Sequence, residues 1–135
     1  MEKGIIVGVN TNQTNNEKFI EELEELKNLC FACNIEIVDQ VTQNRDYIDN
    51  RTYVGKGKID EIKLCIQSLD VECVVFNDEL LPSQISNLEK LLEITIYDRT
   101  FIILELSPYG VSVIIIPSYL FIILHHFYFK PLYFK

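Results

Sequence analysis

One short segment of the chain, 53–62 (YVGKGKIDEI), alternates two glycines with two lysines immediately before an apolar-periodic stretch. Gly55 and Gly57 can adopt positive φ and let the backbone approach a ligand closely. Lys56 and Lys58 add positive charge, and the helix that follows offers unpaired N–H groups and the positive end of its dipole. These are the parts of an anion-binding site. The alternative is a glycine turn that caps a helix, with both lysines in solvent.

The segment is not a Walker A loop, because no Ser or Thr follows Lys58 as a magnesium ligand. Arg45 and Arg51 lie upstream in the same predicted connection and would extend the positive charge into one strip. The chain as a whole carries a formal net charge of -8, which excludes a generally basic nucleic-acid binder. Glycines and point charges without a magnesium ligand suit the phosphate backbone of a nucleic acid better than a triphosphate. A nucleotide phosphate is the rival ligand.

Hydrophobic periodicity places this segment in an alternation of strands and helices. The predicted strands are 4–9, 35–41, 71–76 and 94–97, and the predicted helices are 17–33, 59–69 and 82–93. This alternation predicts an α/β fold: a small, mostly parallel sheet of about four strands with helices on both faces. Ligands of such sheets bind beyond the carboxyl ends of the strands. The candidate surface therefore consists of the segments 10–16, 43–58, 77–81 and 98–100.

Polar residues follow the third and fourth predicted strands. Asn77, Asp78 and Glu79 are candidates for contact with a nucleotide ribose, a cation or an RNA hydroxyl, and a plain polar loop is the alternative. Arg99 is a further candidate contact, although a structural ion pair with Asp98 is the favoured interpretation. Nothing in this pattern assigns an acid–base role, and we expect no catalytic residue. The glutamates at 21, 22, 24 and 25 are interpreted as a solvated helix face.

The cysteines and histidines do not predict a metal site. Cys30 and Cys33 have the spacing of a zinc or redox pair, but Cys65 and Cys73 form no matching pair. The favoured interpretation is small, buried apolar thiols in a reducing compartment. The neighbouring histidines at 125 and 126 lack further ligands in the sequence.

Three stretches, in this order, resemble the N-terminal domain of the HflX family of ribosome-associated GTPases: NRDYIDNRTYVGKGKIDEI, VVFNDELLPSQISNLEK and YDRT. The likeness covers roughly residues 4–106. It implies a small parallel α/β unit that precedes a helical hairpin and a GTP-hydrolysing domain. It also implies binding to the large ribosomal subunit and its RNA, with adenine-nucleotide binding as the alternative. By this resemblance, the phosphate at the glycine–lysine segment is a backbone phosphate of ribosomal RNA.

The sequence departs from the family pattern in two respects. No Walker A, D-x-x-G or N-K-x-D motif occurs, so GTP hydrolysis has no machinery, and GTP and magnesium would belong only to the missing G domain. We therefore expect no cofactor, with ATP as the alternative ligand. The second departure is Leu81, where the family usually has a serine that would cap the helix starting at Pro82. Losing such a cap costs about 1 kcal/mol.

The likeness stops at Ser107, and we expect two units, 1–106 and 107–135. The second unit is apolar, with no charged side chain between Glu105 and Lys130. The favoured interpretation is a truncation or frameshift product of an AT-rich gene, because the break is abrupt and AT-rich codons encode its residues. A C-terminal membrane anchor and an added strand or hairpin are the alternatives.

These observations lead to an expectation for the whole chain. It is the N-terminal ribosome- and RNA-binding fragment of an HflX-type GTP-binding protein, cytoplasmic and not itself a GTPase. An ATP- or nucleotide-binding module and a non-functional gene remnant are the alternatives. No signal peptide is visible at the N-terminus. The expected partner is the large ribosomal subunit with its RNA, and no membrane is expected unless 107–135 is an anchor.

Overall fold

The computed structural model describes residues 1–11 and 15–107, so the interpretations of the tail fall outside the described residues from 108 onward. Strands and helices alternate along this part of the chain. They are β1 (Glu2–Asn10), α1 (Asn16–Ala32), β2 (Ile35–Asn44), α2 (Lys56–Leu69), β3 (Cys73–Phe76), α3 (Pro82–Leu92), β4 (Thr95–Asp98) and α4 (Arg99–Leu106). The strands form one parallel sheet in the order β2-β1-β3-β4. The predicted fold class is confirmed.

Helices cover the sheet on both faces, as predicted. Ile5, Val7 and Val9 of β1 share one core cluster with side chains of α2 and α3. Ile6, from the same strand, belongs to a second cluster with side chains of α1 and α4. A central strand with apolar neighbours on both faces needs a continuous hydrophobic run rather than an alternating one, which is why β1 reads GIIVGV.

From β1 the chain runs to β2 at one edge of the sheet, and it then crosses back to β3 on the other side of β1. α1 connects β1 to β2 on one face, whereas α2 connects β2 to β3 on the opposite face. The carboxyl ends of β1 and β3 therefore lie side by side where the connecting segments diverge. Such a topological switch point leaves an open crevice, and ligands of open α/β sheets bind there.

Close packing of α1 on β1 shapes one side of this crevice. A Cβ on Gly8 would lie 3.0 Å from both Leu23 Cδ2 and Phe19 Cζ, so a larger residue would require these two side chains to shift. Phe19 is buried in this contact and lies in the first turns of α1, close to the carboxyl edge of the sheet.

α4 was not among the predicted helices, and several element boundaries differ from the sequence prediction, two of them next to the candidate surface. β2 continues to Asn44 because its backbone stays paired with β1 as far as Asn10, although its last residues are polar. α2 begins at Lys56 rather than at Ile59. Hydrophobic periodicity missed the first turn of α2 because that turn contains only lysine and glycine, which contribute nothing to the apolar face.

The expected loss of a cap at Leu81 is visible in the structure. Leu81 is the N-cap residue of α3, and its side chain has no acceptor for the helix N–H groups. The backbone N–H of Leu81 itself donates a hydrogen bond to Gln84 Oε1 at 2.9 Å. The side chain is 58% exposed, so its removal would sacrifice little packing.

We predict that Leu81→Ser raises the free energy of unfolding by about 0.5–1 kcal/mol, because a serine hydroxyl caps the first turn of α3. The measurement is urea unfolding followed by circular dichroism on the full chain. Leu81→Ala is the matched control, since it removes the same exposed side chain without adding an acceptor. Equal stability of the serine and alanine variants would contradict the prediction.

Candidate functional site

The connection from β2 to α2 contains a tight turn at residues 49–53, which we call the 49–53 turn. The backbones of Asp49 and Tyr53 bond to each other in both directions, with N···O distances of 3.2 and 2.9 Å. The carboxylate of Asp49 also accepts hydrogen bonds from the N–H groups of Arg51 at 2.8 Å and Thr52 at 3.0 Å. These bonds, the one from Arg51 foremost, lower the pKa of Asp49. The turn is thus held in one conformation by its own hydrogen bonds.

Tyr53 ties this turn to the core of the protein. Its ring is 3% exposed and meets the Phe76 ring edge-on, with centroids 6.0 Å apart. Its hydroxyl donates a hydrogen bond to Oδ2 of Asp78, just beyond the end of β3. Burial raises the pKa of Tyr53 and is also the main cause of the raised pKa of Asp78. The carboxyl of Asp78 is held where ionisation is unfavourable.

Two side chains of α3 hold the same turn from outside. Gln84 Nε2 donates to the carbonyl of Asp49 at 3.1 Å, and Asn87 Nδ2 donates to the carbonyl of Arg51 at 3.0 Å. The 49–53 turn is therefore fixed at three points: Asp78, Gln84 and Asn87.

The glycine–lysine segment is the start of a helix and not a loop. Gly55 is the N-cap of α2, and Lys56, Gly57 and Lys58 form the first turn. The expectation that Gly55 and Gly57 adopt positive φ is wrong, because no glycine among the described residues has positive φ. Gly55 is small for another reason: a Cβ there would lie 2.9 Å from Arg45 Nη1. Having no side chain, Gly55 cannot cap the first turn.

The basic residues divide into two groups. Arg51 and Lys56 are exposed. Lys58 instead forms an ion pair with Glu61 at 2.7 Å. Arg45 lies over the ring of Tyr47, 4.7 Å from its centroid. Arg51 and Lys56 are thus the cations that this edge of the sheet presents most openly.

Arg45 has a further property that bears on ligand binding. Its Nη1 atom is buried and has no hydrogen-bond partner in the described part of the chain. This atom lies beside Gly55, at the start of α2. The positive end of the helix dipole and the guanidinium therefore act on the same region.

A polar cavity of about 310 Å³ opens at the switch point, and we call it the switch-point pocket. Its polar side chains come from the ends of β1 and β3, from α1 and from the 49–53 turn: Asn10, Thr11, Glu22, Tyr53, Asn77, Asp78 and Glu79. The two asparagines are buried, at 4% and 2% exposure. Its volume is near the lower end of small-molecule sites, which start at about 300 Å³. Its carboxylates disfavour a phosphate group inside it.

An adjoining cavity of about 440 Å³ is lined by the same ends of α1 and β3 and by Arg99. Arg99 and Asp98, which were expected to form an ion pair with each other, each contact other parts of the fold. Arg99 pairs with Glu25 at 2.6 Å and donates to Asn77 Oδ1 at 3.0 Å. Asp98 accepts from the backbone N–H groups of Leu80 and of the first turn of α4, both at 2.9 Å. The carboxylate thus caps α4 and holds the β3–α3 loop.

The cysteines fit the interpretation of buried thiols in part. Cys30 and Cys73 are buried, whereas Cys33 and Cys65 are partly exposed. Burial raises the pKa of Cys30 to about 12, which keeps it protonated and unreactive at neutral pH. Within 1–11 and 15–107, no group of three or more metal-binding side chains converges. In the same residues, no helix is long and apolar enough to span a bilayer.

The family model described as GTP-binding GTPase N-terminal matches residues 20–106. The chain belongs to this family. Proteins named GTPase HflX are 40% identical over 105 residues in Flavobacterium psychrophilum and 44% identical over 106 residues in Lacrimispora saccharolytica. Both matches cover 78% of this chain but only 25% and 24% of the relatives. The chain thus spans about a quarter of the length of these HflX relatives.

Solved structures support the fold alone. A GTP-binding protein from Sulfolobus solfataricus in complex with GDP has a TM-score of 0.55 and 17% identity, over 78% of this chain and 30% of that one. The catalytic domain of a serine recombinase reaches a TM-score of 0.51 and 14% identity, over 72% of this chain and 65% of that one. Because such different proteins share the architecture, function must be argued from the site and the HflX relatives.

The sequence pointed to some members of this site and missed others. Asn77, Asp78 and Glu79 line the switch-point pocket, and Arg99 lines the adjoining cavity, so the structure brings these predicted residues together. Glu22, assigned to a solvated helix face, lines both cavities. Asn10 and Tyr53 lie within the predicted candidate surface but were not singled out as site residues. Asn10 had a usable signal, since it is the polar residue at the carboxyl end of a central strand, whereas nothing local marks Tyr53.

We predict that Asp78→Asn raises the melting temperature at neutral pH. The raised pKa means that the folded state binds this proton more tightly than the unfolded chain does, so the ionised group lowers stability above its folded pKa. Glu22 adds to this effect and Arg99 opposes it, but burial dominates. Asparagine keeps an oxygen that can accept from Tyr53 and carries no charge.

The measurement is thermal unfolding of both proteins between about pH 7 and pH 3, the lower limit being below the ordinary pKa of Asp near 3.9. The advantage of the variant should shrink as the wild-type carboxyl becomes protonated. Asp60→Asn, which removes an exposed carboxyl from α2, is the control. A difference in melting temperature between wild type and Asp78→Asn that stays constant with pH would contradict the prediction.

Proposed function

We propose that this HflX-type N-terminal domain binds RNA of the large ribosomal subunit and does not itself hydrolyse GTP. One observation carries the proposal: Arg51 and Lys56 are exposed beside the uncapped start of α2, on a chain with a net charge of -8. Arg45 adds its charge next to Gly55. On such an acidic chain, this exposed basic group is a favourable place for a polyanion to dock.

The type of ligand follows from the kind of contact that these groups make. Exposed guanidinium and ammonium groups and free helix N–H groups bind phosphate without reading sequence. They are spread over the 49–53 turn and the start of α2, as contacts to successive phosphates of a polymer would be. The resemblance to ribosome-associated GTPases suggests the large ribosomal subunit as the target. The phosphate-binding chemistry of these groups suggests its RNA as the ligand. We place the activity in the cytoplasm, where such a target is found.

A nucleotide is the second candidate ligand, because the switch-point pocket lies where open α/β sheets bind nucleotides. Its amides and Asp78 offer partners for a ribose, as the sequence suggested, but its carboxylates repel a triphosphate unless magnesium intervenes. Calorimetric titration with ATP and magnesium distinguishes this candidate from RNA binding. Saturable binding that Asp78→Ala abolishes and that RNA does not displace would favour it.

We predict that the double variant Arg51→Ala/Lys56→Ala weakens binding to purified large ribosomal subunits. The slope of log K against log salt should become shallower by about 1.4–1.8 units, at roughly 0.7–0.9 for each phosphate that the variant no longer neutralises. Stability should change little, because exposed side chains contribute little to it. The measurement is a salt titration of binding, next to a melting curve for each protein.

The matched control is Lys3→Ala/Lys27→Ala. It removes the same formal charge from exposed positions at the start of β1 and in the second half of α1, toward the amino edge of the sheet. That edge is remote from the first turn of α2. The salt slope of the control variant should therefore match that of the wild-type chain. If both double variants lose affinity equally, binding follows net charge and the proposed surface is wrong.

We predict that the purified 135-residue chain releases no phosphate from GTP above the buffer rate, because its sequence contains no phosphate loop and no guanine-reading motif. The measurement is phosphate release with saturating GTP and magnesium, with a complete HflX relative as the positive control. Turnover that persists in constant proportion to the chain through further chromatography would refute the prediction.

A further inference from the structure

Tyr53 has an unusual backbone conformation. Its φ is 67°, in the left-handed region that bulky residues rarely adopt. Asp70 and Glu93 also have positive φ, but they are C-caps of α2 and α3, where this conformation is ordinary. Asn34 is a residue type that tolerates it. Tyr53 lies at no helix end, so its strain must be held by its surroundings.

The contacts of the side chain supply that restraint. The ring is fixed by burial against Phe76, and the hydroxyl by its hydrogen bond to Asp78. The strained backbone is what allows one residue to close the 49–53 turn and also place its phenol in the switch-point pocket. Strain of this kind collects at functional sites, where it pre-organises other groups.

The groups that this arrangement would organise lie close by in the chain. Arg51 belongs to the 49–53 turn itself, and Lys56 follows Tyr53 by three residues. Thr52 Oγ donates to the carbonyl of Val54 at 2.9 Å, which extends the fixed structure toward the start of α2. Any movement of Tyr53 out of the core would displace the turn that presents Arg51.

We propose that the hydrogen bond from Tyr53 to Asp78 is a positioning element that holds Arg51 and Lys56 in the arrangement that binds RNA phosphate. This proposal rests on the proposed function. It assigns Asp78 a role opposite to the one that its charge implies. An anion near RNA weakens binding, whereas an acceptor that keeps the basic turn in place strengthens it.

The two roles of Asp78 are separated by four variants of the full chain, tested for binding to purified large ribosomal subunits at one salt concentration. Tyr53→Phe loses the hydrogen bond without changing charge. Asp78→Ala loses the same bond and one negative charge, whereas Asp78→Asn loses the charge but keeps an oxygen acceptor. Asp60→Ala is the charge control, since it removes an exposed carboxylate from α2.

We expect Tyr53→Phe and Asp78→Ala to bind about three- to tenfold more weakly than wild type, the loss expected for one hydrogen bond that sets the population of the competent turn. Asp78→Asn and Asp60→Ala should bind as tightly as wild type or more tightly. A tighter Asp78→Ala would show that Asp78 acts only through its charge, and would overturn the proposal. Unchanged affinity of Tyr53→Phe would also overturn it.

A second measurement separates positioning from general loss of stability. Backbone hydrogen exchange of residues 49–56, measured well below the melting transition, should accelerate in Tyr53→Phe and Asp78→Ala, while β1 and β3 keep wild-type protection. Asn87→Ala loosens the same turn from α3 and should give the same local acceleration with weaker binding. Acceleration throughout the sheet would mean that Tyr53 is structural only, and would overturn the proposal.

The outcome for the wild-type chain distinguishes this proposal from the proposed function. If the wild-type chain does not bind large subunits, the proposed function fails and the positioning role fails with it. If it binds, and Arg51→Ala/Lys56→Ala weakens binding while Tyr53→Phe does not, only the positioning role fails.

Discussion

The burial of β1 is the constraint on which the rest of the structure depends. This strand has helices on both faces and parallel strands at both edges, so its hydrophobic run must lie inside the sheet rather than at an edge. Burying the strand removes its apolar surface from water, which is the main term that favours folding. It also forces the segments after β1 and β3 to emerge side by side. The switch-point pocket is the consequence at the carboxyl edge.

The carboxyl edge combines two surfaces of opposite charge. The switch-point pocket is lined by carboxylates and buried amides, while the 49–53 turn and the first turn of α2 present exposed cations. Tyr53 belongs to both, because its backbone closes the turn and its hydroxyl reaches Asp78. The two surfaces are therefore joined by the direct contacts of one buried residue.

Fold and family constrain the function to different degrees. The parallel α/β architecture is shared with a serine recombinase domain, so the fold by itself says little about ligand or reaction. The family match and the HflX relatives narrow the function, yet the chain spans only about a quarter of those proteins. The local chemistry of the carboxyl edge is thus what decides between the candidate ligands.

Most of the fold could be predicted because its signals are local. The run GIIVGV and the apolar spacing of the helices follow from two-sided burial of strands and one-sided burial of helices, and both repeat along the chain. Helix starts are harder to predict. The first turn of α2 carries no apolar residue, so the apolar pattern begins only at Ile59 although the helix begins at Lys56.

The sequence by itself determined the four strands, the first three helices, their mostly parallel α/β arrangement and the family, and it pointed to the polar segment 77–79. Tertiary structure alone decided which charges remain available. Arg45 lies over Tyr47, and Arg99 pairs with Glu25, which is 74 residues earlier in the chain. Contacts between side chains depend on distances of a few ångströms set by packing, which spacing along a chain does not encode. The place of Tyr53 is the clearest case, because its phenol meets a carboxylate 25 residues away only when its backbone takes a conformation that its residue type disfavours.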